Sequence, residues 1–178
     1  MPAEDLRTDL ELIHATNDGD ERAFESLYFR YRDRVAALAY RFTRHQEDAL
    51  DVTQETFTYL LRKFPGFVLT SSLMTFFYPA VKNLSIAARR KRQRLHGGDD
   101  AFADLHAPPV SDRPSELAQA LSRLSDAHRE VILMRYVDGL TIDEIAAALE
   151  VPPGTVKSRL HHALRLLRDD PSAREYFL

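Results

Sequence analysis

Three groups of residues have the types and spacing to do chemistry. The first is basic: residues 82–94 carry Lys82, Arg89, Arg90, Lys91, Arg92 and Arg94 with no acid among them, separated by three residues from the cluster Phe76, Phe77 and Tyr78. Cations meet phosphates and exposed rings stack on bases, so this is a candidate surface for single-stranded nucleic acid. Asn83 adds a side-chain amide, which can donate and accept at a base edge. The second group lies near the carboxyl end, where Lys157, Ser158, His161, His162, Arg165 and Arg168 share one side of a helical wheel and Val156, Leu160, Ala163 and Leu167 the other. Hydroxyl, imidazole and guanidinium groups on one helix face suit a major groove. The third group is acidic and polar: Asp51, Gln54, Glu55 and Thr58 recur three and four apart in a stretch, 45–61, that holds no Lys or Arg. Each group also has a plainer reading, a solvated helix end or an ordinary charged face, and only its setting separates the two.

Catalytic chemistry finds no such grouping. The seven histidines (14, 45, 96, 106, 128, 161 and 162) show no metal-ligand spacing, and the adjacent pair His161-His162 splays about 100° apart on a helix. There is no cysteine, no glycine-rich phosphate loop and no nucleophile elbow. The expectation is a protein that is not an enzyme, with no metal and no cofactor.

The elements that must position these groups are helices. Phe24, Leu27, Tyr28, Tyr31, Val35, Leu38 and Phe42 recur at helical steps, and the spacing predicts a long amphipathic helix. A second is expected over 48–64, stopped by Pro65-Gly66, with Val52, Thr56, Tyr59 and Phe64 on one face and Phe57, Leu60 and Leu61 on its flank. A third is expected from about Ser72 to Arg94, where Pro79 should kink it or mark its first turn. Beyond it, 116–124 reads as a short helix, and Ser125 caps a longer one that runs to Gly139. Thr141 and Glu144 form a capping box that opens a helix through Leu149. The run Val151-Pro152-Pro153-Gly154 breaks it, and Thr155 starts the last helix, giving a helix-turn-helix. No β-hairpin signal or internal repeat appears. The fold class is all-α: two small helical domains, 1–95 and 114–178, joined by a Gly-, Asp- and Pro-rich linker over 96–113.

The chain has 178 residues and a formal net charge of −3, which on its face argues against nucleic acid. The average conceals opposed blocks. Residues 1–27 hold eight acids against Arg7 and Arg22, and residues 97–118 hold five against Arg113, whereas 82–94 is wholly basic. No signal peptide is recognisable at the amino end, no apolar run approaches the roughly 18 residues of a membrane span, and the lack of cysteine suits a reducing cytoplasm.

These residues resemble a bacterial extracytoplasmic-function sigma factor, the compact two-domain class of promoter-recognition subunits of RNA polymerase. LSDAHREVILMRYVDGLTIDEIAAALEVPPGTVKSRLHHAL is similar to the family's second DNA-binding domain, DALDVTQETF to its polymerase-docking helix, and VKNLSIAARRKRQR to its minus-ten recognition helix. The resemblance runs from about Arg22 to Arg168. It implies that Asp48, Asp51, Gln54, Glu55 and Thr58 dock on the β′ subunit. It implies that Phe76, Lys82, Asn83, Arg89 and Arg90 meet minus-ten DNA, and that the loop from Pro65 to Ser72 captures a base flipped from the non-template strand. Thr155, Lys157, Ser158, Arg159, His161, His162 and Arg165 would meet the minus-thirty-five element. The implied partners are core polymerase through β′ and β, promoter DNA and an anti-sigma factor, without membrane insertion. This chain departs from the family's pattern with Phe76 where Trp is common, Ala87 where Asp is usual, Pro79 within the basic helix, and His162 and Leu164 at usually basic positions. Two other readings compete: a helix-turn-helix regulator that binds duplex DNA without polymerase, and a sigma mimic that titrates an anti-sigma factor.

Overall fold

A computed structural model describes residues 5–95, 116–171 and 173. These contain eight helices and no strand. The chain divides into two compact units, residues 1–101 and 102–178, each described here by itself. The expected linker, 96–113, lies outside the described residues.

In the first unit α1 (Asp9–Asn17), α2 (Glu21–Thr43), α3 (Gln46–Leu61) and α4 (Leu73–Leu95) pack around α2. The α2 stripe falls inward as its spacing predicts, with Leu27, Tyr31, Val35 and Leu38 buried together with Ala23 and Ala39. Asp20 caps this helix by accepting from the Arg22 and Ala23 amides. On α3 Val52 and Thr56 of the expected face and Phe57 and Leu60 of its flank turn inward, and the departure is Tyr59. Ala49, Val52, Thr53, Thr56, Phe57 and Leu60 are buried, whereas Tyr59 is 42% exposed. The buried threonines cost little, because Thr53 and Thr56 donate their hydroxyls to the carbonyls of Ala49 and Val52 one turn back. The helix also stops at Leu61, short of Phe64, and Pro65 has no amide hydrogen to give to the Leu61 carbonyl four residues back.

Pro79 sits inside α4 rather than in its first turn. Having no amide hydrogen, it leaves the Thr75 carbonyl without its helical donor. The surrounding burial of Leu73, Met74, Phe77, Tyr78 and Val81 holds the helix across that point. Burying a large side chain is worth about 1.5–3 kcal/mol, so this face offsets the roughly 3 kcal/mol that an internal proline costs.

Helix α1 lies outside the expected elements. Its capping box is complete: the Glu11 carboxylate accepts from the Thr8 amide at 2.6 Å, and the Glu11 amide donates to Thr8 Oγ1. Leu12, Ile13 and Thr16 are buried against the unit. A polar network fixes it to α2: Arg30 reaches Asp9 at 2.7 Å and the carbonyls of Asp5 and Arg7, and Tyr31 donates its hydroxyl to Asp9.

The second unit holds α5 (Glu116–Arg123), α6 (Asp126–Tyr136), α7 (Ile142–Leu149) and α8 (Pro153–Asp169), with α8 packed on α6 and α7. Arg129 of α6 donates to the carbonyls of Leu121, Ser122 and Leu124, closing the end of α5 with a cation where the helix dipole favours one. Thr141 and Glu144 form the expected capping box. The α7 helix ends at Glu150 in the left-handed region, φ 54°. The expected four-residue break is shorter, because Pro153 and Gly154 belong to α8. A proline in the first turn has its φ preset and loses no helical bond, so the helix starts two residues before Thr155.

Candidate nucleic-acid and polymerase interfaces

Helices α3 and α4 of the first unit carry both the acidic and the basic groups. Asp51, Gln54, Glu55 and Thr58 are exposed along one side of α3, and the Thr58 hydroxyl donates to the Gln54 carbonyl at 2.8 Å. Asp48 stands apart. Its carboxylate is 3.2 Å from an Arg92 guanidinium nitrogen on α4, its side chain is only 22% exposed, and its amide donates to His45 Nδ1. Asp48 therefore braces α3 to α4, and the open acidic edge consists of Asp51 and Glu55. A cleft of about 410 Å³ runs between the helices, with Asp51 and Glu55 on one wall and Ala87, Ala88, Lys91 and Arg92 on the other.

Further along the same helix pair lies a wider groove of about 750 Å³, lined by Glu55, Tyr59, Arg62, Phe76, Pro79 and Asn83 among others. Glu55 borders both. The aromatic run that the sequence places beside the cations is mostly core: Phe77 and Tyr78 are 0% and 1% exposed. Three consecutive residues span about 200° of a helix, so they cannot all face solvent. Phe76 is half-buried, with Tyr59 stacked on it at 5.6 Å and 9° and Phe67 edge-on at 5.0 Å. Tyr59 is thus an accessible ring that the motif reading missed, and the visible signal was its place one turn from Glu55 at the end of a polar stripe. Lys63 lies 4.7 Å over it. Asn83, Arg89 and Arg90 are exposed, and Lys82 is half-buried.

The loop between α3 and α4 is organised by a residue the sequence reading also missed. Asn17, at the end of α1, accepts from the Gly66 and Phe67 amides at 2.6 and 3.0 Å through Oδ1, and donates from Nδ2 to the Phe67 carbonyl at 2.9 Å. Gly66 has φ +99°, which disfavours any residue with a side chain.

In the second unit α8 has the two faces expected of it. Val156, Leu160, Ala163 and Leu167 are buried, and Lys157, Ser158, His161, His162, Arg165 and Arg168 are exposed. Thr155 and Arg159 are half-buried at the edges of that surface, and Ser158 donates to the Thr155 carbonyl. An Arg165 guanidinium nitrogen is 3.4 Å from His162 Nδ1. Guanidinium only donates, so Nδ1 accepts in this contact and Nε2 is the atom left for an outside partner. The His128 ring on α6 lies 6.3 Å from that of His162.

Charge in the first unit is tuned mainly at α1. Hydrogen bonds from the Arg7 guanidinium and amide hold Asp5 well below the ordinary carboxyl range, and the Arg7 guanidinium also lowers Asp20. The Thr8 amide and hydroxyl lower Glu11, and burial, with the Asp9 contact, raises the Tyr31 phenol. Among the described residues no cluster of three or more His, Cys, Asp or Glu is arranged to hold a metal ion, and no helix is long and apolar enough to cross a membrane.

Sigma-70 region 2 matches residues 27–95, and Sigma-70, region 4 matches residues 115–167. The ECF RNA polymerase sigma-E factor of Escherichia coli (strain K12) is 31% identical over 174 residues, covering 88% of this chain and 90% of the relative. The chain belongs to the ECF RNA polymerase sigma factors. ECF RNA polymerase sigma factor SigW of Bacillus subtilis is 28% identical across 88% of this chain and 92% of its own length. The fold is shared with CnrH, solved in complex with the cytosolic domain of CnrY, at a TM-score of 0.64 and 24% identity, over 89% of this chain and 93% of that one. It is also shared with the sigma factor RpoE of Bartonella quintana, solved with the anti-sigma factor NepR, at 0.63 and 23% identity, over 83% and 96%.

Proposed function

We propose that this sigma factor directs bacterial RNA polymerase to specific promoters and starts transcription there, with each unit reading one promoter element. The observation that carries the reading is the division of exposed groups within a chain of this family. One unit carries an open acidic edge beside a basic helix and an aromatic groove, and the other a basic helix-turn-helix face. Domain limits of 1–95 and 114–178 fit that division.

On this reading Asp51, Gln54, Glu55 and Thr58 dock on the polymerase β′ subunit, with Asp48 holding the docking helix to α4. Phe76, Lys82, Asn83, Arg89 and Arg90 receive the non-template strand at the minus-ten element, and the loop from Pro65 to Ser72 takes an extruded base. Extrusion costs a few kcal/mol, which stacking and phosphate contacts must offset. Thr155, Lys157, Ser158, Arg159, His161, His162 and Arg165 enter the minus-thirty-five major groove, where a good bidentate base contact discriminates by about 1–3 kcal/mol. The protein catalyses no reaction itself and works in the cytoplasm, under the control of an anti-sigma factor that covers these faces. With acids nearly balancing cations across the chain, DNA binding is weak without polymerase and tight with it.

Reconstitution with core polymerase on a promoter library tests this. The expected result is open complexes that form only when both are present. Duplex binding without core would favour a stand-alone regulator, and binding to neither core nor DNA would favour a mimic that titrates an anti-sigma factor.

A further inference from the structure

We propose that Asn17 is a positioning residue for promoter-strand capture: its carboxamide brackets residues 66 and 67, and so sets the conformation in which the loop from Pro65 to Ser72 meets an extruded base. The inference rests on the reading of that loop given above and adds to it a residue about fifty positions away in the sequence.

The bracket uses the amide fully. Oδ1 accepts two consecutive backbone amides, at 2.6 and 3.0 Å, and Nδ2 donates to the carbonyl of Phe67 at 2.9 Å. Three bonds from one planar group to the backbone of two adjacent residues fix orientation as well as distance. Gly66 permits the turn, with φ +99°. Phe67, 9% exposed, then inserts between Phe64 at 5.5 Å and Phe76 at 5.0 Å, so the position of residues 66–67 is passed directly to the ring that lines the Asn83 groove. Beyond the bracket, Val68, Thr70 and Ser71 are exposed and available to a ligand.

The other end of the bracket is equally fixed. Leu12 and Ile13 bury α1, and Arg30 ties its start to α2 through the Asp9 carboxylate and the carbonyls of Asp5 and Arg7, each at 2.7 Å. The α1 helix therefore acts as a strut between α2 and the capture loop. A loop that must be ordered at the moment of binding loses affinity to that ordering, and a loop already held does not.

The test uses full-length chain with core polymerase and a promoter recovered from the library, pre-melted over the minus-ten element, with each non-template base of that element replaced in turn by an abasic site. In the unmodified protein one position should show the largest abasic penalty. Asn17→Ala should weaken binding of the intact strand about tenfold and shrink that penalty to within about twofold, leaving affinity for core and for minus-thirty-five duplex unchanged. Asn17→Asp keeps the oxygen acceptor for both amides but sets a second carboxylate oxygen against the Phe67 carbonyl in place of the Nδ2 donor, so it should recover only part of the loss. A separate variant, Val68→Gly/Leu69→Gly/Thr70→Gly/Ser71→Gly, probes the loop itself. If that variant loses the abasic penalty while Asn17→Ala keeps it, the role of Asn17 is overturned and the loop reading stands. If both keep it, the loop reading fails and takes this inference with it. An Asn17→Ala variant that loses core binding, duplex binding and strand binding alike would overturn the positioning role in favour of a general structural one.

Discussion

The two units solve the same problem, presenting cations and polar groups to DNA, with opposite materials. Eight of the ten phenylalanines and five of the seven tyrosines fall within residues 1–95, whereas residues 116–173 contain one aromatic, Tyr136, which is exposed. The first unit packs its rings into a continuous chain, Phe24 to Phe64 to Phe67 to Phe76 to Phe77 to Phe57, and the rim of that chain lines the groove beside Asn83. In the second unit Val156, Leu160, Ala163 and Leu167 form an aliphatic seam opposite the exposed, cation-bearing side of α8. Core and ligand surface are thus continuous in one unit and separate in the other, and substitutions should sort accordingly.

The largest expected effect is at Phe77, fully buried against Phe57 at 5.3 Å and Tyr31 at 5.8 Å. Phe77→Ala should cost about 3–5 kcal/mol of stability in the first unit, read by urea denaturation, and should abolish core-dependent promoter melting along with it. Next comes the acidic edge. Asp51→Lys/Glu55→Lys should lower affinity for core polymerase by about two orders of magnitude, since like charges set against each other at an interface cost several kcal/mol, with no change in denaturation midpoint. Unchanged core affinity would remove α3 as the docking helix.

Arg165→Ala should cost about 1–3 kcal/mol in minus-thirty-five duplex affinity and leave stability within about 0.5 kcal/mol. A large loss of stability there would show that the second unit is not the separable design described above. The smallest effect concerns acid. Asp5 and Asp20 titrate below the ordinary carboxyl value in the folded chain, so the stability they lend α1 is complete above about pH 4 and is lost as pH falls through their lowered values. The protection of α1 amides from hydrogen exchange, relative to their intrinsic rate at each pH, should therefore fall below about pH 4 before that of the second unit does, with the Arg7 partners exposed enough that salt weakens the effect.

Local patterns made the second unit legible almost throughout. Caps at Ser125 and Thr141, the apolar seam of α8 and its cationic side all follow from spacing within single helices. What escaped depended on distance. The Asn17 bracket and the Asp48 to Arg92 pair join residues about fifty and forty-four positions apart, and no periodicity encodes such contacts. Helix α1 was missed for a different reason. It buries only three residues, too few for a clear stripe, although Thr8 and Glu11 stand at capping-box spacing in plain view. The aromatic triplet misled because charge nearby suggested exposure, whereas helical geometry already required most of it to turn inward.

The two prolines that open α8 have one further consequence. Pro152 and Pro153 present no amide hydrogens and hold φ near −65°, so the first turn of the helix has little freedom to fray and the denatured chain has fewer conformations to lose at that point. A helix whose leading end is already rigid has less to order when a ligand arrives. On the proposed function, discrimination between promoters would then depend on the side chains it carries, Lys157 through Arg165, and hardly at all on the work of building the helix that carries them.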